Sequence, residues 1–566
     1  MSGGVFMERP WYKWYDKLGI PNKFEYPYGK IPGHEILRRN ALRYGDKPGT
    51  IFFGTEISFK EMDKMSDQVA NYLISKGVKR GDRVGLYMYN CPEHIAAHFG
   101  ILKAGAILCP LNVLFKEMEL RYQINDAGMV GILMSDALYP AIKKVRPEIP
   151  TVKFLAYTNF NDFLPAEPVA PIPETYTTPR YITADEDIDD LYEVFKNGDA
   201  TPYKFLDWDM DEVCMLEYTS GTSGMPKGAM LSHLAHIYKP YAAYYAWGVR
   251  DFDVYVTAMP FYHIAGMDAM LATWYIGCTA LLLPTPDPVG LMTVMDKYKA
   301  TFFYSLAPIN HAIAAHPDLG KYDLSSLRVC TSSSFVLPVN EELSEKFRKA
   351  TGCPVWESSF GLTETHTLDT LMPYHMVKWG AQGIPLPEND IIITDTEDPK
   401  KVLPYGEQGE IRIKGPGNFL GYWNKPEASE EALIDGYVRT GDMGMIDEDG
   451  YLFWYGRFKE MIKVSGVSVF PEDVESLLSF NEAVAESAVI PVPDERRGEV
   501  VKAFVVLKEG FKGKVTEDEL KKWSLDNMSP HKAPRYIEFR DALPKSGTNK
   551  LLRRELRAEE ADKRGE

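Results

Sequence analysis

From about residue 58 the sequence alternates short apolar runs with segments of helical period, and this alternation restricts the fold more than any other feature. Phe59, Met62, Val69 and Leu73 recur at a spacing near 3.6 and predict one buried helix face. "KGVKRGD" (76–82) breaks that helix, "RVGLYMY" (83–89) predicts a strand, "EHIAAHFGILKAG" (93–105) a second helix and "AILCPLN" a further strand. Strand-like runs return at 213–217, 254–258, 279–283, 301–305 and 327–331. Strands separated by helices line up in parallel, with the helices crossing over their faces. The expected fold class is therefore α/β, built in layers with substantial parallel sheet.

The character changes around 405–455. "GEIRIKG", "GYVRTGDMGMID" and "GYLFWYGRFKEMIKVSG" are short strands punctuated by Gly and Asp, which predicts an antiparallel, barrel-like subdomain. Beyond about 459 the pattern predicts a helix at 471–480, strands at 484–490 and 500–507, and a helix at 516–527, forming a small α+β domain. The first thirty residues, aromatic and Pro-rich without a period, read as an irregular arm. The charged end "RAEEADKRGE" reads as frayed. The most apolar run, "ATWYIGCTALLLP" (272–284), is shorter than the ~18 residues of a spanning helix and reads as a buried strand or helix end. No apolar core of a signal peptide stands at the N-terminus.

Composition narrows the function. Sixty-three Lys and Arg against 80 Asp and Glu leave a net charge of −17, which argues against general binding to nucleic acid or anionic membranes. A local basic pocket and peripheral membrane contact stay open, but integral membrane insertion does not fit. Six cysteines without a C-x-x-C pair are too few for a disulfide framework, which fits a reducing, cytoplasmic setting.

The sharpest local signal is "YTSGTSGMPKGAM" (218–230), which follows the apolar run from Val213 to Leu216. Gly221 and Gly224 let neighbouring backbone N–H groups turn toward one anion. The hydroxyls of Thr219, Ser220, Thr222 and Ser223 add donors, and Lys227 adds charge, so the loop suits a polyphosphate. Its spacing is not the G-x-x-x-x-G-K-[S/T] of the usual P-loop.

This string closely resembles the signature of the acyl-adenylate-forming enzymes, and further motifs follow in that family's order across roughly residues 35–556. "PFYHIAGM" (260–267) resembles the segment bordering the acyl pocket, with His263 as a catalytic candidate. "SSFGLTET" (358–365) resembles the adenine- and magnesium-binding motif: Phe360, Gly361 and Leu362 would meet the nucleotide, Thr363 would lie near phosphate, and Glu364 would bind Mg²⁺ with Thr219. "GYVRTGD" (436–442) resembles the ribose-binding strand end, which gives Asp442 that role. In "GRFKEMIKVSGVSVFPEDVE" (456–475), Arg457 would contact ribose or phosphate and Lys459 falls at the hinge. Lys463, Ser465, Gly466 and Val467 would admit coenzyme A, joined by Arg535 of "HKAPRYIEF". "LPKSGTNKLLRREL" (543–556) resembles the motif of the catalytic lysine, here Lys550, although Asn549 stands where the family usually has Gly.

The resemblance implies an AMP-forming acyl-CoA synthetase that uses ATP, Mg²⁺ and coenzyme A and acts on a small-molecule carboxylic acid. It implies a large N-terminal domain of layered α/β sheets with a distorted β-barrel (1–456), and a small mobile α+β C-terminal domain (457–566) joined near 457–460. It leaves the assembly open between monomer and homodimer. Gly361, where acetate-type relatives carry Trp, is expected to open the pocket. Ser333, Ser334 and Phe335 are expected to shorten and polarise it, so a small-to-medium acid is expected, including a hydroxyacid of the 4-hydroxybutyrate kind. The alternatives are an aryl- or fatty-acyl-CoA ligase and an adenylating enzyme with a non-CoA acceptor.

Overall fold

The computed structural model describes residues 9–176, 181–182, 187–202, 207–219, 225–334, 337–464, 467–494, 497–545 and 551–564. The chain divides into two compact units. One holds residues 1–333, 340–391 and 413–439, and the other holds 334–339, 392–412 and 440–566. The chain therefore passes between them at 333/334, 339/340, 391/392, 412/413 and 439/440.

The first unit contains two seven-stranded sheets among the described residues, and both follow one plan. In one, the order is Val355–Glu357, Val329–Ser333, Phe302–Leu306, Val254–Thr257, Thr279–Leu282, Pro48–Phe52 and Thr55–Ser58. In the other it is Asp189–Asp190, Phe154–Thr158, Met129–Ser135, Arg83–Tyr87, Ile107–Pro110, Val213–Thr219 (β1) and Lys227–Ser232 (β2). Six parallel strands are closed in each case by one antiparallel partner at the edge. Helices Phe59–Ser75 and Ile264–Ile276 pack on the first sheet, and Pro92–Lys103 and His233–Trp247 on the second. The first packs on the third and the fourth on the second, so a shared helical layer lies between the sheets. We label His233–Trp247 α1 and Ile264–Ile276 α2. Both are buried around nearly their whole circumference, as all-round apolar helices must be. The run 272–284 is thus the end of α2 plus a strand. Gly277 parts them at φ +96°, and a Cβ there would collide with the Tyr44 ring.

The N-terminal arm corrects one expectation. Tyr12–Leu18 is helical, because Trp11 and Tyr15 stand four residues apart and both are fully buried. The Tyr15 hydroxyl donates to the Pro385 carbonyl at 2.6 Å.

In the second unit, Tyr437–Ile446 (β3) continues from the first unit and pairs antiparallel with Leu452–Arg457 (β4), setting Asp442 opposite Arg457. A further sheet carries Val467–Val469, Ile462–Val464, Gly498–Leu507 and Val484–Asp494 in that order, with Tyr536–Phe539 beside Gly498–Leu507. Ile462, Val474, Leu478, Val489 and Leu520 belong to one apolar core of this unit. Ile490, Phe504 and Leu556 belong to a second. Leu556 lies on Arg553–Arg564 (α3), so the charged C-terminal segment is helical through Arg564 rather than frayed. Its acids are tied down as well: Glu560 meets Lys502 at 2.6 Å and Glu559 meets Arg540 at 2.8 Å. Among the described residues no helix is long and apolar enough to cross a membrane.

Candidate active site

The glycine-rich string joins β1 to β2, the edge hairpin of the second sheet. Ser220, Gly221, Thr222, Ser223 and Gly224 lie outside the described residues, but the hairpin's register sets Thr219 opposite Lys227. The base is braced from outside: the Tyr218 hydroxyl donates to Asp126 at 2.8 Å, and Tyr122 donates to the Pro226 carbonyl at 2.9 Å.

Beside this hairpin stands a residue the sequence reading missed. Tyr422 forms an antiparallel bridge with Ala229 of β2. Its hydroxyl donates to Glu364 Oε1 at 2.7 Å, and the Lys227 ammonium sits 4.2 Å from its ring centre. Tyr422 thus joins the loop lysine to the motif carboxylate, and the one-turn helix Thr363–Thr365 packs against both strands of the hairpin. Glu364 is also fixed by its own backbone, which accepts the Phe419 N–H at 2.8 Å. The sequence signal for Tyr422 was only an aromatic residue after Gly421.

The chain leaves Glu364 through a strained turn. His366, Thr367 and Leu368 follow one another at φ +58°, +54° and +47°, a left-handed stretch that non-glycine residues rarely adopt singly. A buried clamp holds it. Asp369 meets Lys239 Nζ at 2.6 Å and Asn389 Nδ2 at 3.1 Å, and also takes the Thr365 hydroxyl. Lys239 donates in addition to the Leu368 carbonyl at 3.0 Å. Burial pulls Lys239 below its ordinary pKa and pushes Asp369 above its own, and their attraction works against both shifts.

Gly361 faces this turn. A Cβ there would lie 2.4 Å from Leu368 N and 2.5 Å from Thr367 C. Gly361, expected to open the acyl pocket, leaves space here for the backbone of Thr367 and Leu368, and both of those residues line the cavity. Phe360 and Leu362 stabilise the same turn through backbone bonds to Asp369 and Thr367.

That cavity lies within the first unit between α1 and α2. Pro240, Ala243 and Trp247 of α1 and Ala265, Ala269 and Ala272 of α2 give it an apolar lining. Asp268, Lys239, Tyr304, Ser358 and Thr367 add polar groups. His263 caps α2, its Nδ1 accepting the Ala265 N–H at 3.3 Å with the ring exposed. Ser333 reaches the wall indirectly, 3.2 Å from the Tyr304 hydroxyl and 3.1 Å from that of Ser358. The Ser334 hydroxyl accepts the Val339 N–H at 2.8 Å and so serves its own turn. Phe335 lies outside the described residues.

In the second unit the β3–β4 pairing brings the Asp442 carboxylate 3.1 Å from Arg457 Nε. Asp442 is buried and Arg457 half-exposed, an acid and a base held side by side. Thr440 accepts the Asp442 N–H at 3.0 Å and donates to the Ile411 carbonyl at 2.7 Å. Lys459 lies exposed in the single turn Phe458–Glu460. Lys463 and Arg535 are also exposed. Val467 opens a strand, while Ser465, Gly466, Asn549 and Lys550 lie outside the described residues. The stem flanking Lys550 is described: Lys545 bridges Leu551, and Leu552 N–H donates to the Pro544 carbonyl at 2.9 Å. Arg553 then meets Glu475 at 2.7 Å and Glu472 at 2.9 Å, and also pairs with Glu460 beside Lys459.

Comparison with known proteins agrees with this geometry. The family model of the AMP-binding enzymes matches residues 37–423, and that of the AMP-binding enzyme C-terminal domain matches residues 473–550. A long-chain-fatty-acid–CoA ligase of Bacillus subtilis (strain 168) is 34% identical over 564 residues, covering 98% of this chain and 99% of that protein. One of Yersinia pestis is 33% identical over 566 residues, covering 98% of each. The solved anthranilate CoA ligase AuaEII in complex with anthranoyl-AMP superposes with a TM-score of 0.80 at 27% identity, covering 94% of this chain and 97% of that one. The chain belongs to the AMP-binding enzyme family. Within it, the chain is an AMP-forming acid–thiol ligase.

Proposed function

We propose that the enzyme activates an aliphatic carboxylic acid with ATP and passes the acyl group to coenzyme A, as a fatty-acyl-CoA ligase. The observation that carries this reading is the apolar slot between α1 and α2. From Ala265 to Ala272 its small-residue face runs about 10 Å along α2, a length that matches an extended alkyl chain of medium size. Its wall continues through Thr367 and Leu368 into the turn that bears Glu364. The names of the relatives support an alkyl chain. The hydroxyls expected to read a hydroxyacid, Ser333 and Ser334, are engaged by protein groups. An aryl acid is the second reading, favoured by the structural neighbour that holds anthranoyl-AMP.

The acid's carboxylate would attack the α-phosphorus of ATP, forming one P–O bond as the bond to pyrophosphate breaks. Two anions must meet, so the site must offset charge where they approach. Lys227 with the loop amides, and Lys550, would do so, while Asp442 accepts the ribose hydroxyls and Arg457 adds positive charge. Glu364 fits Mg²⁺: Oε1 takes the Tyr422 hydroxyl, and among the described residues nothing bonds Oε2. Thr219 offers a second hard oxygen. No group of three His, Cys, Asp or Glu that could hold a metal occurs among the described residues, so Glu364 and Thr219 are the protein groups that would hold the ion. When bound, Mg²⁺ would neutralise phosphate charge. The coenzyme A thiol, admitted past Ser465, Gly466 and Val467 with Lys463 and Arg535 near its phosphates, would then attack the acyl carbonyl and release AMP. This exchange needs rotation about the proposed hinge at Lys459. All six cysteines are free and buried, in keeping with a reducing, cytoplasmic setting.

The test is acid-dependent AMP release, with and without coenzyme A, over straight-chain acids from butanoate to palmitate, hydroxyacids and benzoates. Highest kcat/KM among acids with an alkyl chain, hydroxylated or not, with thioester formed, is the expected result. Preference for benzoates would select the second reading, and turnover indifferent to coenzyme A would remove the thiol acceptor.

A further inference from the structure

The helix α2 carries one charged side chain in thirteen residues, and it faces the acyl slot. Asp268 is only 7% exposed and lines the cavity between Ala265 and Ala269. Among the described residues neither of its oxygens makes a hydrogen bond. Oδ1 lies 3.1 Å from His366 Nδ1, close enough for attraction but not aligned as a hydrogen bond. Leaving both oxygens of a buried carboxyl without a hydrogen bond is costly, and native proteins rarely tolerate it without a partner supplied from elsewhere.

His366 cannot swing away to relieve this. Its Nε2 lies 3.2 Å from His236 Nδ1, and His236 Nε2 lies 3.0 Å from His98 Nε2, all three rings being fully buried. The chain of rings fixes His366 behind Asp268 and leaves the acid's open side toward the slot.

We propose that Asp268 is a specificity-determining residue that selects acids bearing a hydroxyl on the alkyl chain. This rests on reading the cavity as the acyl site. A hydroxyl suits the position because it both donates and accepts, whichever way the Asp268–His366 pair holds its proton. An ammonium group would meet the field of Lys239 in the same wall, and a second carboxylate would meet Asp268 together with buried Glu217 and Asp369. The unsubstituted chain would leave the carboxyl with His366 alone and nothing on its slot side, which is how a site built for a hydroxyl rejects its absence.

The experiment uses the full-length enzyme and pairs of acids of equal carbon count, with a hydroxyl moved along the chain in one member. AMP release gives kcat/KM for each, in wild type, D268N and D268L. At one hydroxyl position the wild type should favour the hydroxyacid by up to about a hundredfold, D268N should keep part of the preference and D268L should bring the ratio to about one. A wild-type preference for the unsubstituted acid at every position overturns the proposal while leaving the ligase reading intact. So does a ratio that D268L, or D268N if D268L does not fold, leaves unchanged. Absence of AMP with every aliphatic acid, hydroxylated or not, would sink the reading of the cavity and this proposal with it.

Discussion

Replacing Tyr422 with Phe separates two contacts that one side chain makes. The hydroxyl gives Glu364 a hydrogen bond of 2.7 Å, while the ring carries the Lys227 ammonium at 4.2 Å. Tyr422→Phe removes only the first. A hydrogen bond to a charged group is worth about 1.5–3 kcal/mol. If that energy orients Glu364 for the phosphoryl step, adenylation should slow by about 10- to 150-fold, since each 1.36 kcal/mol is tenfold in rate. Tyr422→Leu also removes the ring, whose cation–π contact is worth about 0.5–1 kcal/mol, a further factor of about 2–5. The assay is acid-dependent pyrophosphate release without coenzyme A, measured across Mg²⁺ concentrations, with melting temperature as the control for folding. Tyr422→Phe should raise the Mg²⁺ needed for half-maximal rate. A folded Tyr422→Phe enzyme with wild-type rate and Mg²⁺ dependence would refute the assignment of Tyr422 as the positioning residue for Glu364.

Gly361→Ala should displace the turn at Thr367 and Leu368, costing about 1–3 kcal/mol in unfolding experiments and most of the adenylation rate. Lys239→Met should destabilise the chain by about 3–5 kcal/mol, because it strands the buried Asp369, and the loss should shrink when Asp369→Asn is added. Glu472 is held at about 8, above its ordinary 4.5, chiefly by burial, with Arg553 opposing. Folding therefore takes up a proton between those values, and stability falls as pH rises through about 8. Glu472→Gln, which leaves Glu475 and Glu460 on Arg553, should gain on wild type in melting temperature over that same rise. Lys459→Pro should keep adenylation and impair thioester formation, and equal loss of both half-reactions would remove the hinge.

The strand positions were legible because period two and period 3.6 are written in the chain itself: runs expected at 254–258 and 279–283 are strands at Val254–Thr257 and Thr279–Leu282. The two helical termini were not, because their order comes from partners remote in sequence, Pro385 for Tyr15 and Lys502 for Glu560. The motif carboxylate Glu364 and loop lysine Lys227 could be picked out by their strings, but Tyr422, 58 residues beyond Glu364, becomes part of their site only through strand pairing. The close approach of Gly361 to Thr367 and Leu368 was not legible, since the backbone that excludes a side chain there is a left-handed turn that no composition signals. Asp268 carried a readable mark, a lone acid in an apolar helix, whose meaning needed the cavity to become visible.

The five junctions at which the chain passes between its two compact units bear on kinematics. A pair of bodies linked by one strand can swivel on a single joint, but bodies laced by five strands must satisfy five closure conditions at once. A pivot at 458–460 lies after the last junction, at 439/440, and therefore cannot be the joint between these units. Its moving part would be the 461–566 portion alone, turning against 392–412 and 440–457 of the same unit. The seam for catalysis and the seam for compactness then fall at different places along the chain. A truncation meant to isolate the moving part should be cut at the first, and a fragment meant to stay folded at neither.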